Sequence, residues 1–330
     1  MNHIFAIYLV LHSWGLPQTI ADEKRPEASQ ENYIAYHQTI AQAQKLIVHQ
    51  DYQEALTLYK QVFNSYRFVF LKDYKVATQL AVQVEKSQEA FIYLKKAMAA
   101  GWELNDVKKV EFLKPLQRNP QWAMVEKQRD SLKAVYQQSG NSEVRSVVKR
   151  LFTKDQRRAL LALFTFGSKR RERYAERRFA PHSEQQLAEL SRLIKTYGYP
   201  GEKLIHNGYW ASVILSHHNS ISTAYNLKDT LYAALRPTLL HALERGELSP
   251  YEFVRIDDWY IASKTGRQQK QFGHLSPSLT RAELAKANLL REEIGMSSVE
   301  TTNGLLELQA QTGMNFFFSS DFSQKVSLTD

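Results

Sequence analysis

Apolar positions recur three or four residues apart along most of the chain, the spacing that lays one stripe along an α-helix. The stretch QEALTLYKQVF, from Gln53, returns in outline as QEAFIYLKKAM, from Gln88, an offset of 35 residues. That offset is close to the tetratricopeptide period, and the small Ala55 and Ala90 hold the position where paired helices approach closely. A helix over 32–49 is therefore expected to pair with one from Tyr52, and a second pair to begin near Lys72 and Gln88. The segment GWELNDVKKVEFLKPLQRNPQWAMV, from Gly101, has the form of a worn final repeat. Units of this kind cover their apolar stripes against one another, which makes them a scaffold.

The pattern changes after QQSGNSEV, residues 137–144, a polar stretch with a Gly-Asn step that reads as a linker. Beyond it, helices are expected over 144–166, 183–196, 208–218, 228–245 and 280–293, with YGYPG at 197–201 as a clear break. DWYIASKTGRQQKQFG, residues 258–273, alternates around Thr265-Gly266 and predicts a β-hairpin. Residues 301–330 read as an irregular tail. The expected fold is mainly α. Tetratricopeptide-like hairpins fill 22–136, and a helical domain at 145–300 carries the small hairpin.

The ends and the composition add a compartment. MNHIFAIYLVLHSWGLPQTIA, residues 1–21, contains no Lys, Arg, Asp or Glu, and its apolar run 4–11 is too short to span a bilayer. With Thr19-Ile20-Ala21 before Asp22, the segment reads as a signal peptide and predicts export, to a periplasm or the extracellular space. No other segment is long and apolar enough for a transmembrane helix in the mature chain. The chain has no cysteine, so disulfides, thiolate metal ligands and an N-terminal lipid anchor through Cys are excluded. Only 13 Gly and 9 Pro favour long helices over turn-rich folds.

The net charge of +9 is concentrated between residues 142 and 200, where 14 Lys and Arg face 6 Asp and Glu. Its densest part is SKRRERYAERR, with Lys169, Arg170, Arg171, Arg173, Arg177 and Arg178, and with Glu176 one turn from Arg173. Such a run is either a solvated helix face or the seat of an anionic partner. Export would make nucleic acid an unexpected partner, and basic-aromatic motifs for reading bases are absent. Lipid headgroups, acidic glycans or an acidic protein surface fit better.

An ordered set of short motifs carries a resemblance. GYP, ILSHH, ERGEL, an Asp before an aromatic-Gly step (QFG), and NLLREEIG follow one another over 145–298. In this order they resemble an uncharacterised bacterial domain family, often exported and preceded by tetratricopeptide-like helices. The resemblance implies a mostly helical domain and brings no reaction with it. Position by position it places Asp155 and Gln156 on an early Asp-Gln pair, His218 on the family's histidine, Glu247 on the Gly-Glu step and Arg291 on the late arginine. Where the family has Asp-Arg and Tyr-Gly-Thr-Gln, this chain has Asp258-Trp259 and Phe272-Gly273-His274-Leu275. An arginine, a hydroxyl and an amide are gone, so a diverged, inactive copy is one expectation.

His217 and His218 continue the apolar stripe of Trp210, Val213 and Ile214 and are expected to point inward. Two neighbours on one helix do not easily bind the same ion, so a site would use one of them with groups such as His241, Glu244, Asp257, Asp258 or His274. The competing reading is structural, because an imidazole in the last helical turn interacts well with the helix dipole and free carbonyls. No metalloprotease, P-loop, dinucleotide or nucleophile-elbow motif is present, and neither a metal nor a cofactor is expected. Two functions remain. One is an exported binding or adaptor protein that recruits a protein or peptide through its repeats. The other is a hydrolase-like enzyme with a pocket lined by His218, Asp155, Glu247, Asp258 and Arg291, the histidine acting as base and the arginine holding an anionic group; Gln156, His217 and His274 complete the candidate ligand pocket.

Overall fold

The computed structural model describes residues 31–164, 167–266, 268–269 and 271–329. The expected signal peptide at 1–21 lies outside them, as do the side chain of Arg171 and the first stretch of the expected repeat region. The fold is mainly α. Helix α1 (Tyr33–Val48), capped by the Asn32 side chain, pairs with α2 (Tyr52–Ser65), and α3 (Leu71–Gln83) pairs with α4 (Ser87–Ala99). Two short helices, α5 (Leu104–Val107) and α6 (Lys114–Gln117), lead into α7 (Trp122–Ser139), which packs on α4.

The chain then turns sharply into α8 (Ser142–Leu163). The expected linker is therefore only Gly140 and Asn141. Polarity suggested a loose segment, but the Asn141 side chain accepts from Val144 N and its own amide donates to Leu204 O at 2.9 Å. The polar residues serve as a helix cap. After α8 come α9 (Ser168–Tyr174), a π-helical turn (Ala175–Phe179), α10 (Ala180–Tyr197), α11 (Glu202–Ile205), α12 (Trp210–Asn219), α13 (Thr223–Asn226), α14 (Leu231–Glu244), α15 (Pro250–Lys264), α16 (Arg281–Glu293) and α17 (Val299–Thr312). Helix α12 lies centrally, against α8, α10 and α15.

Two expectations are corrected. Residues 258–264 are helical and form the end of α15, so the predicted hairpin does not form. Alternation misleads here because the helix starts upstream with a full capping box, Ser249 with Glu252, and Pro250 at its first position. Phe253, Val254, Asp257, Asp258 and Ala262 then bury one helical face. The strand pair that does form among the described residues is parallel, β1 (Ser278–Thr280) with β2 (Ser327–Thr329). Nor is 301–330 an irregular tail. The Ser298 side chain caps α17 by accepting from Thr301 N, and Leu305, Leu308, Met314 and Phe316 complete the apolar core of α1–α7.

A second apolar core unites α8, α10, α11, α12, α14 and α15, with Leu290 of α16 against it, and includes Phe322 from the C-terminal segment. From Asn32 onward the chain forms one compact unit, in which α1 packs on both α14 and α17. No helix among the described residues is long and apolar enough to cross a membrane.

Candidate functional site

The contact between α1, α3 and α15 is incomplete and leaves a cavity of about 210 Å³. Phe70, Tyr209, Tyr251, Phe317 and Phe318 supply aromatic wall, and His37, Asp73, Glu202, Glu252 and Arg255 supply the polar groups. Apart from His37, each polar group is placed by the start of a helix or by a bond between elements. Asp73, in the first turn of α3, accepts from Tyr36 Oη of α1 at 2.6 Å, and the same Tyr36 oxygen accepts from Phe70 N at 3.2 Å. Glu202 opens α11 and accepts from Leu71 N at 2.6 Å. Glu252 accepts from Ser249 N and Oγ, closing the capping box, and from Tyr199 Oη at 3.3 Å.

Burial dominates the electrostatics of these carboxyls. Loss of water raises Asp73 to about 6, Glu202 to about 7 and Glu252 to about 8. The negative charges also oppose one another, Asp73 raising Glu202 and Glu202 raising Glu252. At pH 7 Glu252 is therefore mostly protonated and Glu202 about half so, and both can donate as well as accept hydrogen bonds, while Asp73 is mostly ionised and accepts. Lys72 stands 4.0 Å from the centre of the Tyr251 ring and 4.3 Å from that of Phe318, a cation–π clamp on the wall.

The opposite wall is the C-terminal segment. Arg255, whose side chain is 8% exposed, donates to both Asp321 oxygens at 2.6 and 3.0 Å and to Ser212 and Ser319 hydroxyls. Phe317 adopts a left-handed φ of 53°, a strained conformation for a bulky residue. It is held there by a buried amide pair just before it: Gln79 Nε2 donates to Asn315 O at 2.7 Å and Asn315 N donates to Gln79 Oε1 at 2.8 Å. The strain places an aromatic ring on the cavity rather than in solvent.

His37 completes the site. It is 7% exposed, lines the cavity, and its Nε2 is buried with no hydrogen-bond partner in the protein. Burial, helped by Lys72, lowers its pKa to about 3, so the ring is neutral. A neutral imidazole offers one donor and one acceptor, and here the Nε2 position is unused.

None of the eight residues singled out from sequence lines this cavity. Asp155, fully buried, faces His217 Nδ1 at 2.6 Å and accepts from the Gln156 amide at 3.1 Å. His217 is partly exposed rather than inward-facing, its ring edge-on to Phe179. His218 is fully buried between Ser183 Oγ, 3.0 Å from Nδ1, and Asp229, 3.4 Å from Nε2. Glu247 accepts from Tyr199 N and pairs with Arg245. Asp258 accepts from Phe272 N at 2.9 Å and His274 N at 2.8 Å, anchoring that loop to α15. Arg291 donates to Phe272 O and Ser297 O, and His274 stacks on Phe322 at 4.1 Å. Among the described residues no group of three or more His, Cys, Asp or Glu is arranged to hold a metal ion. In the basic run Lys169, Arg170, Arg173, Arg177 and Arg178 are exposed.

No protein-family model, curated protein or solved structure matches this chain.

The raised carboxyls predict a pH response. Folded Glu202 and Glu252 hold protons that the unfolded chain releases, so the stability they contribute is complete at low pH and is lost as pH rises through about 7 and 8. His37 and His274, lowered to about 3 and about 4, act in the opposite sense, but only below their ordinary 6.5. Between pH 6.5 and 8 the carboxyls act alone. The unfolding free energy, and with it the urea midpoint, should fall across that window, by at most about 2 kcal/mol for Glu252 and by less than about 1 kcal/mol for Glu202. Glu252→Gln should flatten the slope. A midpoint that rose from pH 6.5 to 8 would contradict the assigned protonation.

Proposed function

We propose that the chain is an exported binding protein of adaptor type, with a small ligand seated in the cavity between α1, α3 and α15. The single observation that supports it most is His37, a residue that lines the cavity and whose buried Nε2 has no partner. Such an atom costs about 1–3 kcal/mol of desolvation, which a ligand group bonding to it would recover. At about 210 Å³ the cavity is smaller than the roughly 300–1,000 Å³ of drug-sized sites. The ligand class is a one-ring molecule with a flat apolar face for the aromatic wall and hydroxyl or amide groups for His37 and the carboxyls.

The remainder of the reading rests on sequence. The 35-residue offset between the α2 and α4 segments supports a tetratricopeptide-like scaffold that recruits a protein or peptide, and the uncharged N-terminal stretch supports export. The ordered motifs keep the resemblance to the uncharacterised bacterial family as part of the proposal.

The test uses His37→Leu, which keeps the side-chain volume and removes the unused nitrogen. Its unfolding free energy should rise by about 1 kcal/mol. In a thermal-shift screen of one-ring sugars, nucleobases and aromatic amides, a ligand that raises the melting temperature of the native chain should lose that effect in the variant. A destabilised variant, or ligands that stabilise both chains equally, would remove His37 from any site.

A second reading, a hydrolase, is supported by the Asp155–His217 pair. A buried carboxylate 2.6 Å from Nδ1 orients the ring and leaves Nε2 of a partly exposed histidine toward solvent, the arrangement of a general base. In this reading His217, not His218, is the base. Turnover of ester, amide, glycoside or phosphoester probes that disappears in His217→Ala would establish it. Turnover of none of them would leave the binding reading.

A further inference from the structure

The basic run and the end of α8 take no part in the cavity, yet they form one surface of unusual make-up. Arg157, Leu160 and Phe164, the residue that caps the C-terminus of α8, are spaced three and four apart and so lie along one face at that end of the helix, with Lys154 and Arg158 beside it. All five are exposed, Leu160 to 53% and Phe164 to 65%. Tyr174 of α9 donates its hydroxyl to Arg158 O at 3.1 Å, which ties the exposed cations of α9 to this end of α8. Between residues 149 and 178 the sequence holds eleven Lys and Arg against three acidic residues. Two of those three are occupied: Asp155 is buried, and Glu176 accepts from Ser222 Oγ at 3.1 Å.

We propose that the face built from the C-terminal half of α8 and from α9 docks on an anionic membrane surface. Cations alone would serve an acidic protein or a free polyanion equally well. Large apolar side chains held in water among those cations single out the lipid interface, where headgroup charge and acyl chains lie within a few ångströms of each other. Phe164 and Leu160 enter the acyl boundary, and the surrounding Lys and Arg stay at the phosphates, their alkyl stems lying along the same boundary. The docking is peripheral and leaves the cavity, on α1, α3 and α15, unused.

Co-sedimentation of the full chain with vesicles of phosphatidylcholine, with and without phosphatidylglycerol, tests this. Binding is expected to the anionic vesicles, to weaken as salt rises from low to physiological strength, and to be slight on phosphatidylcholine alone. Each cation near such a surface contributes about fivefold, so Arg170→Glu with Arg173→Glu should weaken binding on the order of 25-fold or more. Leu160→Ser with Phe164→Ser should weaken it several-fold while leaving the salt dependence in place. All four positions are exposed, and far-ultraviolet circular dichroism with a thermal melt checks that the variants fold. No binding to anionic vesicles, or binding that survives the charge reversal, overturns the proposal. Equal binding to soluble polyglutamate, unchanged by the serine substitutions, overturns it in favour of an acidic protein surface.

Discussion

Asp257→Ala should cost the fold about 3–5 kcal/mol, the largest loss expected from any single truncation of a polar side chain here. Asp257 is fully buried and accepts from Arg236 Nε and Nη2 at 2.7 and 2.9 Å, and from Tyr232 Oη at 2.9 Å. Removing the carboxylate leaves the guanidinium of Arg236, whose side chain is about one-third exposed, and a fully buried Tyr232 without this acceptor. The penalty comes from those stranded groups rather than from the lost attraction. Urea denaturation should therefore show that Asp257→Leu combined with Arg236→Met is markedly more stable than Asp257→Ala alone. A double variant as weak as the single one would mean that packing, not stranded charge, dominates. Against a total stability of roughly 5–15 kcal/mol for an ordinary domain, the single variant approaches unfolding.

Gly201→Ala should cost about 3 kcal/mol for a different reason. A Cβ on Gly201 would lie 2.2 Å from the backbone oxygen of Glu247, and neither partner can swing aside. Glu247 is fixed because its carboxylate accepts from Tyr199 N at 2.9 Å and from two nitrogens of Arg245. Gly198, whose φ is +86°, faces the same carboxylate, so the YGYPG turn is folded around Glu247. Gly313→Ala provides the contrast. It has a left-handed φ of +75° and no atom within 4 Å, so it carries backbone strain without a clash and should cost about 1 kcal/mol. Equal losses at the two sites in a thermal melt would show that close approach is not what Gly201 provides.

The Gly201–Glu247 contact also shows what the sequence made legible. GYP and ERGEL stand out as motifs far apart in the chain, and the structure joins them as the two halves of one turn contact. The helices at α1, α2, α4, α10 and α14 follow from apolar spacing because each buries one stripe of residues three and four apart. Spacing misleads where a helix-start signal outweighs it. Ser249-Pro250-Tyr251-Glu252 is a complete helix start that outweighs the alternation downstream, and Ser298 with Gly313 brackets α17 at both ends. The cavity was not legible at all. Its polar groups enter one at a time, His37 from α1, Asp73 from α3, Glu202 from α11 and Glu252 from α15, each alone among residues that bury a core. A reading along the chain finds clusters in sequence, such as His217-His218, but convergence of single residues from distant helices exists only after folding.

The packing of α1 on α17 has a consequence for the newly made chain. Gly304 of α17 lies so close to Val48 of α1 that an added Cβ would be 2.7 Å from a Val48 methyl, and Leu305 and Leu308 finish the core that α1 begins. During synthesis α1 is among the first described helices to emerge and α17 the last. At the roughly 5–20 residues per second of translation, part of the α1 stripe stays uncovered for on the order of tens of seconds. An exposed apolar face of that duration is what holding chaperones bind, so this protein should depend on them more at its first helices than at its last. Export before folding would extend the same exposure until the C-terminal segment has crossed.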